Sequence, residues 1–108
     1  MLITQMEESK MGKYFMTWEI DANKVPISRE ERAAAWQPMI DMVKQGIEEG
    51  RIKEWGAFVG EMAGYSIAEG TEAEIGSFNQ NWVPFVNFKV HPVATVNDIE
   101  EMIKNLTA

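Results

Sequence analysis

Residues 53–70 read KEWGAFVGEMAGYSIAEG, and the fold follows from them. From Lys53 to Val59, Trp55, Ala57 and Val59 alternate with Glu54, Gly56 and Phe58, the period of a strand. Gly60-Glu61-Met62-Ala63-Gly64 is turn material. Tyr65 to Glu69 (YSIAE) is again of strand type, and Gly70 ends it. Two strands joined by so short a turn make an antiparallel hairpin. Its position between two strand–helix units decides the architecture.

Upstream, KYFMTWEI (13–20) sets Tyr14, Met16, Trp18 and Ile20 against Lys13, Phe15, Thr17 and Glu19, a strand with one wholly apolar face. The loop DANKVPI follows. Ser28, with Glu31 three residues on, is a capping box that opens a helix. Trp36, Ile40, Val43 and Ile47 form its stripe. Pro38 costs about 3 kcal/mol in a straight helix unless a kink relieves it. The stripe stays in phase across it, which predicts one bent helix closed by Gly50 and Arg51. Downstream, Thr71 and Glu74 form a second capping box before a short helix with Ile75, Phe78 and Trp82 on one side. Pro84 to Val90 is the fourth strand, with Val86, Phe88 and Val90 opposite Phe85, Asn87, Lys89 and His91. Pro92 blocks further central pairing. Thr95 to Leu106 is a last helix with a stripe of Ile99, Met102, Ile103 and Leu106.

The order predicts an α+β chain, the ferredoxin-like βαββαβ pattern with a C-terminal helix. Right-handed crossovers put the two main helices on one sheet face, with strand order 4-1-3-2. Residues 12–108 are expected to form one domain, and 1–11 a flexible tail without periodicity.

The chain of 108 residues carries 10 Lys and Arg against 17 Asp and Glu, a net charge of -7. That balance opposes binding to nucleic acid or to an anionic membrane surface. The fragment Gly56-Ala57-Phe58-Val59 bears a slight likeness to an RNA-recognition motif, but it lies on the second strand and follows Glu54. With no cysteine, disulfides, thiolate metal sites and cysteine nucleophiles are excluded. No apolar run is long enough to span a membrane, and MLITQMEESK has no signal-peptide pattern, so a cytoplasmic location is expected. The glycines at 56, 60 and 64 match neither a phosphate-binding loop nor a dinucleotide fingerprint.

WGAFVGE (55–61), GYSIAEG (64–70) and FKVHPV (88–93) resemble an uncharacterised prokaryotic family of short proteins in the dimeric α+β barrel superfamily. The likeness runs over about residues 12 to 98. That superfamily also holds muconolactone-isomerase-like enzymes, cofactor-free monooxygenases of antibiotic biosynthesis and haem-handling proteins. The resemblance implies the fold and a homodimer, and leaves the chemistry open.

If Trp18, Ile20, Val86, Phe88 and Val90 face the helices, then Thr17, Glu19, Asn87, Lys89 and His91 share the other sheet face. Glu19, Lys89 and His91 are the candidate proton-moving groups. Thr17 and Asn87, with Phe15 and Phe85, are the candidate ligand contacts. The plainer reading of the same residues is an ionic, hydrogen-bonded dimer interface. His91 is the sole histidine, so one chain builds no multi-histidine metal site, and no metal or cofactor is expected. Phe15, Phe58 and Phe85 would leave an apolar patch on a monomer, which predicts a homodimer burying at least about 1,200 Å². The four tryptophans fall on helical stripes and apolar strand faces, where core packing accounts for them, although buried indole nitrogens need partners. The function expected is binding of a small organic molecule in a cleft of the sheet. The alternative is a cofactor-independent isomerase or monooxygenase acting on a small aromatic or lactone-like substrate.

Overall fold

A computed structural model describes residues 11–108 and shows an α+β chain built on one four-stranded antiparallel sheet with three α-helices. The tail expected over 1–11 lies, apart from Met11, outside the described residues. Strands β1 (Gly12–Ile20), β2 (Ile52–Ala57), β3 (Ala63–Gly70) and β4 (Val86–Val93) are ordered β2-β3-β1-β4. Taken from the opposite edge, this is 4-1-3-2. Helix α1 (Arg29–Glu48) connects β1 to β2, α2 (Glu72–Gln80) connects β3 to β4, and α3 (Val96–Leu106) ends the chain.

The caps explain where the helices start. Ser28 Oγ accepts from Glu31 N at 3.0 Å, half of the expected box. Thr71 and Glu74 form the complete reciprocal box at α2. Thr95 and Asp98 form another at α3, with aspartate in the place the usual pattern gives to glutamate. Gly50, at φ +78°, takes the left-handed turn that ends α1. Pro38 sits inside α1 without ending it.

Both α1 and α2 pack on the same sheet face. Ile75 of α2 joins Tyr14, Met16 and Ala68 in one buried cluster. Val43 of α1 joins Ile52, Trp82 and Val86 in another, and Phe88 packs against both. Each fully buried Leu-sized side chain in such a core stabilises by roughly 1.5–3 kcal/mol.

Four expectations need correction. Ile47 is exposed, and Gly46 takes the buried place beside it. A Cβ on Gly46 would lie 2.6 Å from Ile52 Cδ1, so the missing side chain is what lets α1 close on β2. The hairpin turn is 58–62 rather than 60–64, because Phe58 N donates to Ala63 O (2.8 Å) and β3 already begins at Ala63. The fourth strand begins at Val86 rather than Pro84, because the N–H groups of Phe85 and Val86 both bond Trp82 O (2.8 and 3.0 Å) and hold the chain in a turn. It then runs past Pro92, which is paired with Tyr14. β4 is an edge strand, where proline's missing donor is tolerated.

Candidate functional site

The sheet face away from α1 and α2 carries the predicted polar residues. Register settles this, since residues directly opposite one another share a face. Phe15 pairs with His91, Thr17 with Lys89, and Glu19 with Asn87. The six side chains are therefore brought together on one face. Phe85 is not on that grid: it lies in the turn before β4, and its carbonyl accepts from Asp21 N.

In the single chain this face is open to water. Glu19, Asn87, Lys89 and His91 are exposed, and Thr17 is half-buried. The ion pairs among the described residues are Arg51–Glu49 and Lys53–Glu69, and Glu19 and Lys89 form none. An acid–base cluster in a dry setting is thus not assembled by one chain alone.

Aromatic rings cross the same face. Phe58 stacks on Tyr65, Tyr65 on Phe15, and Phe15 approaches His91, with centroids 6.2, 6.2 and 6.5 Å apart. Tyr65 Oη donates to Glu54 Oε1 at 2.9 Å. That bond, with lesser help from desolvation and the carboxylate's charge, raises the phenol's pKa above its ordinary 10.0.

The helix-covered face holds a second feature. Between α1 and the sheet is a cleft of about 220 Å³ whose walls include all four tryptophans, Trp18, Trp36, Trp55 and Trp82. Met16, Met39 and Met62 contribute thioether walls, and Glu61 in the hairpin turn is the one charged residue lining it among the described residues. The cleft exists because α1 touches the sheet mainly through its C-terminal half. Val43 and Gly46 are buried, whereas Trp36, Met39 and Ile40 are only half-buried. Trp18 and Trp55 stack at 5.3 Å with planes 10° apart, giving one flat wall. Trp18 Nε1 donates to Tyr65 O at 3.4 Å. Trp82 buries its indole N–H without an acceptor among the described residues, at a cost of about 1–3 kcal/mol.

Periodicity places these tryptophans on the correct faces but assigns them to the core rather than to a cleft. The usable signal is their number, four in one small domain, together with methionines at apolar positions. Among the described residues, no group of three or more His, Asp or Glu side chains is placed to hold a metal ion. No helix among them is long and apolar enough to cross a membrane.

In a comparison with protein families, a model described as a domain of unknown function (DUF3303) matches residues 12–107. No curated protein matches the chain.

Proposed function

The chain belongs to the DUF3303 family of domains of unknown function, and for it we propose a binding role: the tryptophan-lined cleft between α1 and the sheet takes a small, flat, largely apolar organic molecule. One observation carries this reading. All four tryptophans border one cleft, and three of them remain half-buried there although indole burial is strongly favourable. A mostly apolar pocket with a few polar groups at its wall is the common form of a small-molecule site. Glu61 at the wall favours a ligand with one polar group, such as a phenol or an aromatic amide. The thioethers supply adaptable walls.

The protein is read as a ferredoxin-like member of the dimeric α+β barrel superfamily, working in the cytoplasm as a homodimer closed over the open sheet faces. The apolar and aromatic side chains left exposed there support the dimer.

A second reading, a cofactor-independent isomerase or monooxygenase, draws on the shared face of Phe15, Thr17, Glu19, Asn87, Lys89 and His91. In it Glu19, His91 or Lys89 moves protons and Thr17 and Asn87 orient the ligand. It requires a partner to cover the face, since proton transfer between poised groups needs them withdrawn from bulk water.

A thermal-shift titration with 2-naphthol tests the binding reading. Saturation at a hundredfold excess over Kd adds about 2.7 kcal/mol, a shift of several degrees for a domain of this size. Replacing Trp36, a half-buried wall residue, by Ala should abolish the shift while the chain stays folded. An unchanged melting temperature across a panel of such ligands would count against the cleft.

A further inference from the structure

Among the described residues, nothing buries the apolar side of helix α3. It contains no buried residue. Ile99, Met102, Ile103 and Leu106, at i, i+3, i+4 and i+7, form one apolar stripe that is 41–77% exposed. An isolated helix of 11 residues is marginal in water, even with the full cap that Thr95 and Asp98 provide. Such a stripe is stable as a helix when something covers it.

The same chain has a second uncovered apolar surface. Phe15, Tyr65 and Phe58 form an aromatic strip across the open sheet face. Phe15 and Phe58 are 37% and 42% exposed there, far more than core aromatics.

We propose that α3 is an exchanged arm: in a two-fold dimer, the α3 of each copy lies across the Phe15–Tyr65–Phe58 strip of the other. A two-fold pair covers both surfaces twice with no third component, as an isologous interface requires. A membrane fits less well. Interfacial helices carry Lys and Arg on the polar face, whereas α3 carries Asp98, Glu100 and Glu101 against Lys104. The proposal rests on the homodimer reading and adds the element that builds the interface.

The chain lacks cysteine, so introduced thiols report contacts without background. A Met102→Cys chain mixed with a Phe15→Cys chain should form a disulfide-linked pair containing one of each. Light scattering at micromolar concentration should give a dimer mass for the natural chain. The full-length double variant Met102→Asp, Ile103→Asp should dissociate at least 100-fold more readily with its circular dichroism otherwise retained. A natural chain that is monomeric, whether free or bound to phosphatidylcholine vesicles, overturns both the arm and the homodimer. A dimer unchanged by the double variant overturns the arm alone. So does a chain carrying both cysteines that closes internally at nanomolar concentration, which would place α3 on its own sheet.

Discussion

Trp18 of β1 and Trp55 of β2 lie on strands that are not neighbours, and they stack because Gly64 of β3 puts no side chain between them. Gly64 pairs with Trp18 on one side and Ala57 on the other. A Cβ there would run into the Gly56 carbonyl oxygen and the Trp18 indole. Both are held by the sheet, so neither yields easily. Gly64→Ala should therefore cost about 1–3 kcal/mol in urea unfolding, an overpacking penalty. It should also disturb the near-ultraviolet circular dichroism of the stacked indoles. Wild-type stability in this variant would show that the wall is looser than the geometry implies.

The opposite change is expected at Gly76. It sits inside α2, where a Cβ would meet nothing within 4 Å, and its φ is not positive. Gly76→Ala should stabilise the chain by roughly 0.5–1 kcal/mol. The midpoint of chemical unfolding should rise accordingly, and a fall would mean that Ala meets an obstacle there.

Tyr65 and Glu54 give a pH prediction. The bond to Glu54 holds the phenol proton, so the folded pKa lies above the unfolded value of 10.0. A raised pKa means the folded state binds the proton more tightly. The bond's contribution is complete below about pH 10 and is lost as pH rises through the folded pKa. Glu54→Gln should move the phenolate absorbance transition of Tyr65 downward. An unmoved transition would mean that the bond is not maintained in solution.

Lys89 and Lys44 separate a covered face from an open one. Both are exposed in the single chain, Lys89 on the open sheet face and Lys44 on α1. If the dimer covers Lys89 and Glu19, removing one charge strands the other. Lys89→Met should weaken dimerisation by roughly tenfold or more, Lys44→Met should leave it unchanged, and adding Glu19→Gln to Lys89→Met should recover part of the loss. Equal behaviour of the two lysines in sedimentation would place Lys89 outside the interface.

Much of the architecture is legible in the sequence because it depends on local chemistry. Alternation in KYFMTWEI assigns the two faces of β1, and Ser28, Thr71 and Gly50 mark helix ends by backbone groups they satisfy or angles they allow. The shared face of Thr17, Glu19, Asn87, Lys89 and His91 follows from the period of two once β1 and β4 are neighbours. The cleft is not legible. Periodicity says which way Trp36 points, but not how far its helix stands from the sheet. The close approach of Gly46 to Ile52 fixes one end of α1 against the sheet, while Trp36 and Met39 line the cleft toward the other. Phe85 escapes the alternation for a different reason: one carbonyl, that of Trp82, captures two successive N–H groups and delays the strand. The end of β4 is hidden because tolerance of Pro92 depends on being at an edge, a property of the whole sheet.

The central claim is that the tryptophan cleft is where a ligand binds. The most direct measurement is a nitrogen–proton correlation spectrum of labelled protein titrated with 2-naphthol, following the four indole N–H signals and the backbone amides of β1 and β4. We predict that the signals of Trp18, Trp36, Trp55 and Trp82 shift together and saturably, while the Lys89 and His91 amides stay in place. Shifts confined to Phe15, Thr17, Lys89 and His91, with the indoles unmoved, would contradict it and put the site on the open face of the sheet.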